Sequence, residues 1–166
     1  MDKEFDILLR EELRQRTEKQ TQKFGCRPGW RYTCLEDLVL QNGQAYLPQP
    51  LPRRFRHGRS GQCYFNSFNT ALRHGLIYVE GYAMGKLGAG DVHIHAWCVE
   101  AGSTTVIDRT WSEGLAYLGV PFDFGFVKRT MGQRKAYGVL DNWEHEAWPI
   151  LKLLPSEWLY RANDSR

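Results

Sequence analysis

Three stretches in the middle of the chain carry strand signals and follow one another with short breaks. Residues 76–85 (LIYVEGYAMG) are rich in apolar and aromatic side chains, and residues 91–100 (DVHIHAWCVE) alternate in polarity over several positions. Gly102 and Ser103 mark a tight turn before residues 104–111 (TTVIDRTW), so we predict a β-hairpin over 92–110. Strands joined by such short turns pair antiparallel, and this constrains the fold more than any other feature.

Helical signals precede the strands. Apolar residues at three- and four-residue spacing predict a helix over 2–23, and a shorter one is expected over 33–42. A third helix is predicted over 62–73, with Ser60 as its N-cap and Gly75 as its stop. Helices followed by an antiparallel sheet indicate an α+β fold.

Signals after the hairpin are weaker. In residues 116–122 (AYLGVPF) we predict an edge strand that ends at Pro121. A helix is predicted over 124–135. Residues 143–159 are helix-like, with breaks at Pro149 and Pro155.

The chain length of 166 residues favours one domain. We divide it into a helical and basic-loop region (1–59), a core (60–122) and a C-terminal helical region (123–166).

The cysteines and the N-terminal residues bear on the compartment. No apolar signal segment and no run long enough to cross a membrane is visible, so we expect a cytoplasmic protein without a membrane partner. The four cysteines are scattered without a CxxC pair, which favours free thiols. Zinc ligation is the competing interpretation, but the eight-residue spacing of Cys26 and Cys34 does not suit it.

Positive charge is concentrated before residue 63. The net charge of +3 is too small to favour nucleic acid as a partner. Residues 1–62 nevertheless hold 12 Lys and Arg against 8 Asp and Glu, and the densest cluster is RRFRHGR over 53–59. This cluster is either a solvated loop or a positive rim that attracts an acidic substrate and favours a thiolate.

Cys63, His95 and Asp108 have the residue types and order of a nucleophile, its base and an orienting group. A thiol at a helix start lies near the positive end of the helix dipole, which lowers its pKa. His95 is on the second predicted strand, and the turn near Gly102 would bring Asp108 back toward it. Each residue also has an ordinary reading, as core cysteine, half-buried histidine or turn aspartate, but those readings leave the order unexplained.

The stretch 60–122 resembles the core of transglutaminase-like and papain-like cysteine enzymes. The matching pieces are Cys63 at a helix start, Gly81-Tyr82, His95-Ala96-Trp97 and Asp108-Arg109-Thr110. Arg109 stands where proline is common in that family. The resemblance implies a papain-like fold, with the nucleophile helix packed on an antiparallel sheet. It also implies a hydrolase or acyltransferase, such as a thiol protease, that acts on a peptide, protein or small amide through a thioester without a cofactor or metal.

Four further residues are candidates for oxyanion or substrate binding. Gln62 and Asn66 each carry a side-chain donor that could join the Cys63 backbone N–H at an oxyanion. His93 is expected on the same face of the strand as His95. It could be a second base, a substrate contact or a solvated side chain. Trp97 could line the site or shield the ion pair, and packing explains it equally well.

Two other functions compete with the enzyme. One is a non-catalytic binding protein on the same fold, which holds an acidic partner or nucleic acid on its basic, aromatic surface. The other is a zinc protein that uses Cys63, His93 and His95. The complete Cys, His and Asp set favours the enzyme.

Overall fold

The computed structural model describes residues 3–140 and 149–162. The helices are α1 (Lys3–Phe24), α2 (Leu35–Asn42), α3 (Cys63–His74) and α4 (Phe124–Arg134). The strands are β1 (Gln44–Tyr46), β2 (Ile77–Met84), β3 (Val92–Val99) and β4 (Ala116–Phe122). Short 3-10 turns occupy Gly88–Asp91, Pro149–Lys152 and Pro155–Glu157.

The four strands form one antiparallel sheet in the order β1-β4-β2-β3. The α+β class and the antiparallel sheet are therefore confirmed. β3 is the outermost strand, and its His95 lies opposite Gly81 of β2. The centre of the predicted site thus lies at one edge of the sheet.

The two faces of the sheet are covered differently. One face packs against all four helices, with Leu13, Val39, Ala71 and Val127 among the buried contributors. The opposite face carries a smaller aromatic cluster and is covered by the connection after β3. The buried members of this cluster are Tyr46, Val79, Ala83, Trp97, Val99, Val106 and Tyr117.

Helix α3 agrees closely with the prediction. Gly75 ends it in a left-handed conformation (φ 63°), which glycine adopts without a Cβ clash. Its N-cap is Gln62 rather than Ser60, so that part of the prediction is wrong. The Gln62 N–H donates to the Arg59 carbonyl, 3.3 Å away, and this turn places Ser60 two residues too early to cap the helix.

The predicted hairpin forms only in part. Residues 104–110 are not a strand: they pair with β3 only at Cys98 and Ile107, through two backbone hydrogen bonds of 3.1 and 2.8 Å. Thr104 and Val106 bond instead to Leu47. The Leu47 N–H donates to the Thr104 carbonyl, and the Leu47 carbonyl accepts from the Val106 N–H. The turn still returns the chain to the His95 side of the sheet.

β4 is an interior strand, not the predicted edge strand. Pro121 is tolerated because it lies beyond the three β4 residues that pair with β1. Its carbonyl points to that side, so the N–H that proline lacks is not needed for pairing with β1. The Tyr160 N–H donates to that carbonyl at 3.0 Å.

The C-terminal prediction is settled only in part. Pro149 and Pro155 each begin a short 3-10 turn. The rest of that prediction, over 143–148, lies outside the described residues. Within residues 3–140 and 149–162, no helix has the length and apolar character needed to cross a membrane.

Candidate active site

Cys63 is the first residue of α3 and is partly buried. The N–H groups of a first helical turn have no partner within the helix, and the helix dipole is positive at this end. Two contacts hold α3 against β3: the Ser67 hydroxyl donates to the Ala96 carbonyl at 2.9 Å, and the Cys98 thiol donates to the Ser67 carbonyl at 3.2 Å. The sheet therefore fixes the position of the Cys63 thiol.

His95 lies within hydrogen-bonding reach of both Cys63 and Asp108. Its Nε2 is 2.7 Å from Asp108 Oδ2, and both side chains are buried. A carboxylate only accepts, so Nε2 carries the proton of the neutral ring. Nδ1 is then the ring nitrogen that is free to accept a proton from Cys63, whose interaction with the ring raises the pKa of His95. This tautomer can take the thiol proton.

Asp108 is held from four directions. Its Oδ1 accepts the backbone N–H groups of Thr110 (2.8 Å) and Trp111 (3.0 Å). Its Oδ2 accepts from His95 and from the Tyr117 hydroxyl at 3.0 Å. Burial and the neighbouring Asp108 charge both raise the Tyr117 pKa, so its phenol remains a donor at neutral pH. The carboxylate can hold one orientation of the His95 ring.

The balance of burial and charge at His95 favours its protonated form. Burial alone would lower the pKa of His95, but hydrogen bonds and charge interactions with Asp108 and Cys63 raise it from 6.5 to about 9. At neutral pH the ring is therefore an imidazolium. A cation beside the thiol stabilises the thiolate, the form that attacks carbonyl groups.

An open cleft of about 290 Å³ gives access to the pair. Its lining residues are Ser60, Gly61, Cys63, His93, Ile94, His95, Thr110 and Trp111. His93 is exposed and bonds to Asp91, 2.9 Å from Nε2 to Oδ1, so it lies at the rim and not against the thiol. Thus the structure brings Cys63, His95 and Asp108 together and leaves His93 beside them.

Asn66 does not suit the oxyanion role predicted for it. Its amide nitrogen donates to the Arg59 carbonyl and to the Thr110 hydroxyl, both at 2.8 Å, which uses both hydrogens. The side chain is buried and joins α3 to the loops on either side of the cleft. Gln62 is the remaining side-chain candidate: it is exposed at the helix start and makes no capping hydrogen bond.

Trp97 lies behind His95 and does not line the cleft. It is 0% exposed, its ring stacks on His95 at a centroid distance of 6.3 Å, and it packs edge-on against Tyr46 and Tyr117. Trp111 lines the cleft instead, with its ring 5.3 Å from that of His95. The prediction that Trp97 lines the site is therefore wrong, and its contacts are those of a packed side chain behind His95.

Sequence reasoning also missed Tyr117 and Thr110 as parts of the site. Tyr117 comes from β4, which is separated from β3 in the sheet by β2. No local pattern indicates that pairing. Thr110 is the last residue of the Asp108-Arg109-Thr110 sequence, and its position two residues after the aspartate is the signal that could have placed it at the site.

Arg109 links the basic loop to the site. Its Nε donates to the Arg56 carbonyl at 2.6 Å and its guanidinium to the Thr70 hydroxyl at 3.1 Å. The Gly58 N–H donates to the Arg109 carbonyl at 2.7 Å. Arg109 therefore anchors residues 56–58 to α3.

We expect the exposed arginines of 53–59 to tune anion attraction without holding the fold. All four (Arg53, Arg54, Arg56 and Arg59) have exposed side chains, and Arg54 makes a surface ion pair with Glu100. Replacing the four with glutamine should change the free energy of unfolding by only about 1 kcal/mol. It should also slow Cys63 alkylation by anionic iodoacetate relative to neutral iodoacetamide at low salt, because exposed charges act over about 10 Å at 0.1 M salt.

The control for this experiment is glutamine at Arg14, Lys19 and Lys23 of α1. A large fall in melting temperature would show that the loop arginines are structural. An unchanged reagent ratio with unchanged stability would reduce them to a solvated loop.

Among the described residues no group of three or more His, Cys, Asp or Glu side chains could hold a metal ion, so Cys63, His93 and His95 do not form such a group. The chain matches no protein-family model, no curated protein and no solved structure. The site therefore has to be interpreted from its own geometry.

Proposed function

We propose that this protein is a cysteine-dependent hydrolase or acyltransferase that acts on an amide or isopeptide through a thioester. The observation that carries the proposal is the buried His95, whose Nε2 lies 2.7 Å from Asp108 Oδ2 and whose ring lines the same cleft as Cys63, the first residue of a helix. A nucleophile, a base beside it and a third group that orients the base are the three parts that nucleophilic catalysis by a side chain requires.

The arrangement suits two chemical half-reactions. In the first, Cys63 Sγ attacks the carbonyl carbon, the C–N bond breaks, and the His95 imidazolium gives its proton to the leaving nitrogen. In the second, water or an amine gives a proton to His95 and attacks the thioester, and the C–S bond breaks. We assign the Cys63 backbone N–H and the Gln62 amide as the donors to the oxyanion in both.

The finer fold and location belong to the same proposal. A helix that begins with the nucleophile and packs on an antiparallel sheet carrying the histidine supports a papain-like, transglutaminase-like arrangement. Four free thiols, with no disulfide among the described residues, suit a reducing compartment such as the cytoplasm.

Trapping of the acyl-enzyme tests the proposal. Native protein is mixed with 4-nitrophenyl acetate, quenched in acid and digested for mass spectrometry. Acetyl should appear on Cys63 of the wild type and be absent from that peptide in Cys63→Ala, with turnover lost. Acetylation elsewhere, or equal turnover by Cys63→Ala, would contradict the proposal.

The raised pKa of His95 predicts a limit on amide cleavage at high pH. The folded-state value of about 9 exceeds the ordinary 6.5, so the favourable effect of the charged ring is complete below pH 6.5 and is lost as pH rises through about 9. Cleavage of a peptidyl 4-nitroanilide, which needs a proton on its leaving nitrogen, should therefore fall above pH 9. Acylation by 4-nitrophenyl acetate, whose leaving group needs no proton, should not fall. Parallel decline of both reactions would contradict this role of His95.

A further inference from the structure

A second groove begins at the residue before Cys63. It has a volume of about 320 Å³ and is lined by Gln62, Tyr64, Phe65 and Tyr137. Tyr137 also lines a neighbouring cavity of about 350 Å³, so the two adjoin at this side chain and define a path between α3 and the end of α4. The lining of that second cavity is Phe68, Lys128, Met131, Gly132, Lys135, Ala136 and Tyr137.

The floor of this path is aromatic and open to solvent. Phe65 is 38% exposed and Tyr137 is 43% exposed, and their rings meet edge-on at a centroid distance of 5.1 Å. Tyr137 also contacts the Phe68 ring at 5.5 Å. Single exposed apolar side chains are common, but several adjoining ones beside a nucleophile indicate a surface that a ligand covers.

The far end of the path is positively charged. Lys128 and Lys135 are both exposed there, and none of the described carboxylates forms an ion pair with either. Lys135 also keeps a left-handed backbone (φ 55°), the one positive φ among the described non-glycine residues. This end of the path is complementary to an anion.

The proposed chemistry decides which part of a substrate lies here. His95 must protonate the leaving nitrogen, so the leaving group lies in the cleft that His95 lines. The acyl part then extends away from His95, past Gln62. From Gln62 to Phe68 the helix rises about 9 Å, which matches about three extended residues.

We propose that this path binds the acyl part of an extended peptide. An aromatic or large apolar side chain next to the reactive carbonyl packs on Phe65 and Tyr137. A carboxylate about two residues further away is held by Lys128 and Lys135. This inference rests on the proposed function, because the direction of the substrate follows from the role of His95.

The test uses three tripeptide acyloxymethyl ketones, with sequences Glu-Ala-Phe, Phe-Ala-Glu and Lys-Ala-Ala. The thiolate forms a C–S bond at the methylene carbon and the C–O bond breaks, so a carboxylate leaves. Glu-Ala-Phe should label Cys63 at least about tenfold faster than Lys-Ala-Ala, from burial of the aromatic ring alone. Reversing the order in Phe-Ala-Glu should remove most of that advantage.

Matched variants test whether the side chains of the path cause the faster labelling by Glu-Ala-Phe. Tyr137→Ala should lose the advantage of Glu-Ala-Phe, and Tyr137→Phe should keep it. Lys128→Gln combined with Lys135→Asn, which retains a residue tolerant of the left-handed backbone, should slow labelling by Glu-Ala-Phe and so lower its advantage over Lys-Ala-Ala. Labelling by iodoacetamide should stay at the wild-type rate in all three variants, because this reagent does not reach the groove.

Failure of this inference is separable from failure of the proposed function. A Cys63 that reacts rapidly with iodoacetamide but shows no preference among the peptides would overturn the inference alone. An inert Cys63 would overturn both. A shift of oligomeric state in Tyr137→Ala by size-exclusion chromatography would mean that the groove joins two copies of the chain, and would also overturn the inference.

Discussion

Replacing His95 with alanine is expected to slow alkylation of Cys63 by iodoacetamide at pH 6 by roughly 10- to 100-fold. An ordinary thiol with a pKa near 8.5 is only about 0.3% thiolate at pH 6, and a neighbouring imidazolium stabilises the thiolate form of a thiol. The lower intrinsic reactivity of a stabilised thiolate offsets part of the difference, so the change in rate is smaller than the change in thiolate fraction.

His93→Ala is the matched control for this prediction. His93 is on the same strand, two residues away, but it is exposed and bonded to Asp91. Its removal should leave the alkylation rate close to that of the wild type. If the two variants exchange effects, His93 is the base and the assignment of His95 is wrong.

A second variant separates chemistry from folding. His95 is buried, so alanine leaves a cavity and an unpaired carboxylate. His95→Gln can still donate to Asp108 but cannot become a cation at neutral pH. It should fold with near-native stability, measured by thermal unfolding, and still show slow alkylation.

Asp108→Asn is expected to lower the rate of amide cleavage by about 10²- to 10⁴-fold, the range that proton transfer contributes in enzymes. The asparagine oxygen can keep the backbone N–H groups of Thr110 and Trp111. Its amide nitrogen then donates to His95 Nε2, which moves the ring proton to Nδ1. In that tautomer His95 cannot accept the proton of Cys63.

The chain contains its own control, because Asp91 and His93 form a second carboxylate–imidazole pair at 2.9 Å on the surface. Asp91→Asn makes the same chemical change there and should leave cleavage of a peptidyl 4-nitroanilide at the wild-type rate. Loss of cleavage in Asp91→Asn, with cleavage retained in Asp108→Asn, would show that Asp91 is the orienting carboxylate and that the assignment of Asp108 is wrong.

Asp108→Ala should also destabilise the fold. Four donors bond to the carboxylate, three of them from Thr110, Trp111 and Tyr117. Each buried donor left without an acceptor costs about 1–3 kcal/mol. A large fall in the free energy of unfolding by urea titration is therefore expected for Ala, and a smaller one for Asn.

Local signals predicted the parts of the structure that depend on neighbouring residues. The apolar spacing and Gly75 located α3 within one residue at each end, and the apolar and alternating patterns located β2 and β3. These features depend on helix capping and on side-chain alternation, which short stretches encode. The proximity of Cys63 and His95 followed from the same elements.

The parts that failed depend on pairing between distant segments. Residues 104–110 have strand propensity, but Leu47 competes for Thr104 and Val106, so only the bridge at Cys98 and Ile107 remains. No pattern near β4 indicates that it lies between β1 and β2. The role of Tyr117 could not be predicted without that position.

Asn66 shows the same limit within the candidate site. Its three-residue spacing from Cys63 on one helix predicts a side-chain donor for the oxyanion. Its hydrogens instead satisfy Arg59 and Thr110, which lie on loops before and after it in sequence. Local spacing predicts which helix face a side chain shares, and the loops packed on that face decide what the side chain bonds.

Competition among the four native thiols for limiting iodoacetamide at pH 6, mapped by mass spectrometry of the digest, tests the central claim most directly. Burial raises the pKa of Cys34 to about 11 and raises that of the fully buried Cys98, so both should react slowly, and exposed Cys26 is the main competitor. The position of Cys63 at a helix start beside His95 predicts that Cys63 is alkylated first, and that this advantage vanishes in urea. Earlier alkylation of Cys26, Cys34 or Cys98 in the folded protein would contradict it.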